Sequence, residues 1–157
     1  PVLLLEPGRS IIGNAGITVY TIGTIKQVTA DKTYIFVDGG MADNPRPMMY
    51  QSEYTIELSR LQARNAVQTY TIAGKFCESG DIFTQEEGGF VSKRSLPQAK
   101  VGEFLVLECA GAYGSVMGSN YNSKPLAAEV MIAEGKAHLI RERQSYQDLM
   151  RGERLLG

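Results

Sequence analysis

Four short stretches of this sequence concentrate residues that can do chemistry. Glu6-Pro7-Gly8-Arg9-Ser10 follows an apolar run and precedes a helix signal. Free N–H groups at such a start suit a phosphate, Gly8 permits close backbone approach, and Arg9 adds a planar cationic fork. The same residues also make a plain strand-to-helix turn with Arg9 in solvent. In Asn44-Pro45-Arg46-Pro47-Met48-Met49-Tyr50, two prolines stiffen the backbone around Arg46. A guanidinium held that way loses less entropy on gripping a carboxylate, and Tyr50 offers a second polar contact. A rigid surface turn is the alternative.

The third stretch, Gly74-Lys75-Phe76-Cys77-Glu78-Ser79-Gly80-Asp81, sets a thiol beside a carboxylate between glycines. Such a thiol can give a proton or act as a nucleophile. The only histidine, His138, lies far along the chain in a strand segment, which argues against a Cys–His protease. A buried structural cysteine is the other reading. Cys109, which follows the apolar strand Phe104 to Leu107, fits that structural description better. The fourth stretch is the polar, glycine-rich segment 110–125, in which Tyr113 stands little shielded between Ala112 and Gly114. Long loops of this kind inside a compact domain tend to carry binding groups, although a turn tyrosine would read the same. Glu86-Glu87-Gly88-Gly89 and Arg141-Glu142-Arg143 read as solvated faces.

These stretches need a scaffold, and the surrounding text is mostly strand. Val2-Leu3-Leu4-Leu5 is apolar at consecutive positions, the pattern of a strand buried on both faces. Ser10 is a good N-cap for a short helix ending near Gly16. A long strand follows from Ile17 to Val28, then a turn at Ala30-Asp31-Lys32 and a strand at 33–37. Further strands are expected at 50–58, 67–74, 82–84, 103–109, 127–133 and 136–143. Ser145 caps a final short helix over 146–151, closed by Gly152. Short strands separated by turn signals predict an all-β sandwich or barrel.

Composition narrows the function. The chain has 157 residues, with 16 Lys+Arg against 17 Asp+Glu. There is no basic excess to neutralise phosphates, so nucleic acid is not an expected partner. No apolar run approaches the roughly 20 residues of a membrane helix. Two cysteines and one histidine make neither a disulfide framework nor a zinc site, and free thiols suit a reducing compartment. The chain opens on Pro1-Val2 inside an apparent strand, so it reads as part of something longer.

Taken together and in order, Glu6-Pro7-Gly8-Arg9, Arg46-Pro47 with Tyr50, Cys77-Glu78-Ser79-Gly80-Asp81 and Ala110-Gly111-Ala112-Tyr113-Gly114 resemble the C-terminal half of the diaminopimelate decarboxylases. Asn120-Tyr121-Asn122-Ser123-Lys124-Pro125, followed by Ala128-Glu129-Val130, extends the resemblance over the whole chain. The Cys-Glu-Ser-Gly-Asp and Asn-Tyr-Asn-Ser strings favour this branch over the ornithine, arginine and carboxynorspermidine decarboxylases. A non-catalytic β-sandwich module is the alternative from another class.

The resemblance implies a cytoplasmic, homodimeric enzyme of the fold-type III, pyridoxal-phosphate-dependent class, acting on a small amino-acid substrate. It implies that residues 1–9 are the last strand and phosphate loop of an N-terminal α/β barrel. Residues 10–157 would be the C-terminal β domain, with short helices near 10–16 and 146–151. It assigns Glu6, Pro7, Gly8, Arg9 and Tyr113 to the cofactor, and Arg9, Arg46, Tyr50, Glu78 and Tyr113 to the substrate. Cys77 becomes the proton donor, serving with Glu78 in the neighbouring protomer. The lysine that anchors the cofactor lies in the barrel, so the present residues alone are expected to be inactive. On the family's plan the whole chain would have about 400 residues.

Overall fold

The computed structural model describes residues 2–59, 66–154 and 156. Strand β1 (Thr18–Thr29) is the long one, and it turns through Ala30 and Asp31 into β2 (Lys32–Val37). β2 alternates half-buried and buried positions, as a strand with one face on a core must. With β3 (Ile56–Ser59), β4 (Val67–Ala73), β5 (Arg94–Pro97) and β6 (Phe104–Leu107) they form a six-stranded sheet in the order β3-β6-β1-β2-β4-β5. All neighbours run antiparallel except β2 and β4. The two edge strands curl toward each other, leaving a cleft of about 380 Å³ lined by Ile56–Leu58 and Ser95–Pro97. The sheet is thus a nearly closed barrel, the all-β architecture expected from the sequence. Its interior is filled from facing strands by Ile22, Ile35, Ile72, Leu105 and Leu107, all fully buried, and by Tyr70 and Phe83.

A separate hairpin joins β7 (Glu129–Ala133) to β8 (Lys136–Arg141). Glu134 and Gly135 both adopt positive φ, 50° and 73°, the conformation that a tight two-residue hairpin turn requires. The chain then enters helix α3 (Tyr146–Leu149), capped by Ser145 as expected and ending short of residue 151; Asp148 returns the cap by accepting from the Ser145 amide.

Several expectations change. Val2–Leu5 pair with no strand among the described residues and are 75–88% exposed. Ser10 does not cap the first helix. α1 (Arg9–Ile12) starts after Gly8 and tightens into a 3-10 turn at Gly13–Ala15. The strand expected over 50–58 begins only at Ile56. Pro45 and Pro47, whose fixed φ suits a first helical turn, instead open helix α2 (Arg46–Tyr50), and left-handed Gln51 ends it. The segment 82–84 makes only a single bridge, from Ile82 to Ala73. β5 was not anticipated: Arg-Ser-Leu-Pro is short, and Pro97 is tolerated only because the strand lies at the sheet edge.

Leu105→Ala should cost roughly 2–5 kcal/mol of folding stability, since a fully buried side chain at the middle of the sheet leaves a cavity. Urea unfolding followed by circular dichroism measures it.

Candidate active-site wall

The first functional group is assembled by backbone contact between glycines. The Gly111 amide donates to the Gly13 carbonyl at 3.0 Å, and the Ala110 amide to the Gly16 carbonyl at 2.8 Å. A Cβ on Gly16 would lie 2.8 Å from the Gly111 nitrogen, and one on Gly111 would lie 2.9 Å from the Gly16 nitrogen. Only glycine at both positions lets the two segments touch. The turn bearing Gly8 and Arg9 is thereby docked against the loop bearing Tyr113.

Tyr113 has φ of 58°, a left-handed conformation that is costly for a bulky side chain. It places the phenol hydroxyl over Gly8, where any Cβ would collide with it. The Tyr113 ring stands between two guanidinium groups, 5.8 Å from that of Arg9 and 5.3 Å from that of Arg46. Arg46 also lies 4.9 Å from the Tyr50 ring, one helical turn along α2. Cation–π contacts of this kind stabilise by about 0.5–2 kcal/mol each.

Further polar groups fix Arg9. Its Nη1 donates to the Cys109 carbonyl at 2.7 Å and its Nη2 to the Tyr54 hydroxyl at 3.4 Å. The Tyr54 hydroxyl donates in turn to buried Asn44 at 3.5 Å. Cys109 is left-handed, half-buried and hydrogen-bonded through its thiol to Asn14, not sealed in the core as expected. Among the described residues neither Arg9 nor Arg46 forms an ion pair, and the buried Nε of Arg46 has no partner. Two cations and a phenol therefore converge without a carboxylate of their own. Glu6 and Pro7 stay exposed on irregular backbone just before this group.

The second group sits on the turn that leaves β4. Cys77 is a free, exposed thiol. It lines a cavity of about 500 Å³ with Lys75, Phe76, Asn122, Ser123 and Lys124. The Glu78 carboxylate accepts from the Gly80 amide at 3.1 Å and from the Tyr121 hydroxyl at 3.4 Å. Arg9, Arg46 and Tyr50 thus come together around the Tyr113 ring, whereas Glu78 is held by Tyr121 and Cys77 lines its cavity with Asn122 and Ser123.

A buried carboxylate ties the supports of both groups. Asp81 is 3% exposed and accepts from the Met41 amide at 2.8 Å and the Phe76 amide at 3.0 Å. Cβ atoms on Gly40 or Gly74 would come within 2.6 Å of its carboxylate oxygen Oδ1, so both must be glycine. Asp43 accepts from the Gly40 amide at 2.9 Å in the same loop, which leads directly into α2 and Arg46. Burial pushes the carboxyls of both Asp43 and Asp81 above the usual range. The neighbouring Tyr20 hydroxyl, buried without a partner, is raised well above its ordinary value by burial and then by Asp43 and Asp81.

Asp81, Asn44, Tyr54 and Tyr121 escaped the sequence reading as functional residues. Asp81 and Tyr121 stood inside strings that had been singled out, and Asn44 opened the Arg46 stretch. Tyr54 carried no local signal.

The family model for the C-terminal sheet domain of pyridoxal-dependent decarboxylases matches residues 10–111. The chain belongs to this family. A diaminopimelate decarboxylase of Synechocystis sp. is 44% identical over 151 residues, covering 96% of this chain and 31% of its own length. A crystal structure of a diaminopimelate decarboxylase superposes with a TM-score of 0.87 at 41% identity, covering 93% of this chain and 35% of that one. A diaminopimelate decarboxylase from M. jannaschii in complex with L-lysine gives 0.85 at 34% identity, covering 99% of this chain and 34% of that one. The chain therefore spans about a third of the length of the relatives it matches.

In this pyridoxal-dependent decarboxylase domain, Asp43 and Asp81 set a pH dependence with a definite sign. Both carboxyls are raised in the folded state, so their contribution to stability is fully present below the ordinary carboxylate range. It is lost as pH rises through the raised values. Asp43→Asn keeps an acceptor for the Gly40 amide and removes the buried charge. Its melting temperature should exceed the parent's at pH 8, and the gap should close toward pH 4 in a thermal-unfolding series.

Proposed function

We propose that this chain forms the C-terminal wall of the active site of a homodimeric diaminopimelate decarboxylase, converting meso-2,6-diaminopimelate to L-lysine and CO₂. The observation that carries the reading is the pair of guanidinium groups, Arg9 and Arg46, converging on Tyr113 with no ion pair among the described residues. Such a pair suits an anionic substrate. The names of the relatives supply the substrate class, and the L-lysine complex of one of them supplies the product.

The residues fit pyridoxal phosphate. The Tyr113 hydroxyl stands directly over Gly8 at the start of α1, and Arg9 retains side-chain N–H groups beyond its two internal bonds. That donor set matches a phosphate ester, with Glu6 and Pro7 completing the loop by backbone contact. When bound, the cofactor supplies an electron sink for the bond that loses CO₂. The protein's part is to orient and to protonate. Arg9 and Arg46, with Tyr50 beside them, hold the substrate's distal carboxylate, and Tyr113 contacts cofactor and substrate together. The Cys77 Sγ–H holds the proton that takes the place of CO₂, and Glu78 attracts the distal ammonium by charge.

Cys77 and Glu78 find their neighbours among Phe76, Gly80, Tyr121, Asn122 and Ser123 rather than in the Arg9–Arg46–Tyr113 group, which is in keeping with their acting in the partner subunit's site. Residues 1–9 belong on this reading to the last strand and phosphate loop of an α/β barrel, and residues 10–157 to the β domain. Exposure of 75–88% at Val2–Leu5 is then surface that the barrel covers. No helix among the described residues is long and apolar enough to cross a membrane, and two free thiols suit the cytoplasm.

The full-length enzyme should release CO₂ from meso-diaminopimelate and not from ornithine, arginine or lysine, with this chain alone plus cofactor as the inactive control. Preference for ornithine or arginine would overturn the substrate assignment. Cys77→Ala in the full-length enzyme should lower kcat by about 10²-fold or more, the range of a lost general acid. Unchanged turnover removes its role.

A further inference from the structure

We propose that Tyr121 is a positioning residue for Glu78 and thereby sets discrimination for a substrate's distal amine; this rests on the reading of Glu78 as the group that recognises that amine. The Glu78 side chain is exposed on a glycine-flanked turn, so its rotamers are free unless something holds them. The Gly80 amide fixes Oε1 at 3.1 Å, and the Tyr121 hydroxyl faces Oε2 at 3.4 Å. At that length the hydroxyl directs the carboxylate without neutralising it, which leaves the charge available to an ammonium group.

Tyr121 is itself firmly placed. Its ring packs against buried Phe76, with centroids 6.0 Å apart and planes tilted by 55°. The backbone amide of Phe76 is bound to Asp81, so the ring and the Glu78 turn share one frame. On the other side, the Asn120 side-chain amide donates to the Lys124 carbonyl at 2.8 Å and to Gln144 at 2.7 Å. The Ser119 amide donates to the Ala42 carbonyl at 2.9 Å. Asn122 and Ser123 both take left-handed backbone, φ 54° and 53°, which turns the chain sharply after Tyr121 and brings both residues to the cavity that Cys77 lines. A strained turn held by this many bonds marks a side chain whose direction matters.

The test compares meso-diaminopimelate with 2-aminopimelate, the same carbon chain lacking the distal amine, in the full-length enzyme. Tyr121→Phe keeps the ring on Phe76 and removes only the hydroxyl. KM for diaminopimelate should rise roughly three- to tenfold, the range of one net hydrogen bond, with kcat nearly unchanged. KM for 2-aminopimelate should not move. In a Glu78→Gln background the same substitution should add nothing further, because the two residues act as one unit. An unchanged KM for diaminopimelate, or equal loss on both substrates, overturns the positioning role. If Glu78→Gln alters discrimination while Tyr121→Phe is silent, this inference alone fails. If Glu78→Gln leaves discrimination untouched, the assignment of Glu78 fails and this inference with it.

Discussion

The clasp at Asp81 is the constraint on which the working parts of this domain depend. One buried carboxylate accepts from Met41 and Phe76, and so joins the loop that leads to Arg46 with the turn that bears Cys77 and Glu78. Its two acceptors match two backbone N–H groups that would otherwise be buried unpaired, at a cost of about 1–3 kcal/mol each. Gly40 and Gly74 leave the space it fills. The clasp carries a penalty, seen in the raised carboxyls of Asp81 and Asp43, and the domain tolerates it because no neutral side chain of that size offers two acceptors in this fork.

The Arg9–Arg46–Tyr113 group is built by a different device. It depends on bare backbone: Gly13 and Gly16 against Ala110 and Gly111. This docking sets the distance between the α1 turn and the left-handed Tyr113, and the two guanidinium groups then pack against one ring. Arg9 is further directed through Tyr54 to Asn44, so the same buried loop that Asp81 holds also reaches the first cluster. The two clusters thus share a support.

Much of this was legible in the residues, and the illegible parts have common causes. Strands with a clean period, such as Lys32–Val37, and the Ser145 cap are local patterns, and they appear where expected. The site residues were legible as strings because their chemistry and their spacing coincide. What failed was non-local. Val2–Leu5 has a buried-strand composition, yet it pairs with none of the six strands of this sheet. Pro45 and Pro47 announced a stiff turn, and whether that turn is helical depends on the packing of Pro47 against the core. β5 forms because β4 is there to pair with it, not because Arg-Ser-Leu-Pro favours a strand. Tyr54 was invisible as a site residue because its role exists only once Arg9, 45 residues earlier, and Asn44, 10 residues earlier, are both brought to its hydroxyl.

The hydrogen bond from Arg9 to the Cys109 carbonyl spans 100 residues of chain. The pairing of Thr18 with Leu107 beneath it spans nearly as many. Closing so long a loop carries a large entropic cost, which local hairpins such as β1–β2 do not bear. The cationic cluster therefore has no existence in any short piece of this chain: a place for an anion is a property of the whole closed sheet, and any change that loosens the β1–β6 pairing loosens the grip of Arg9 with it.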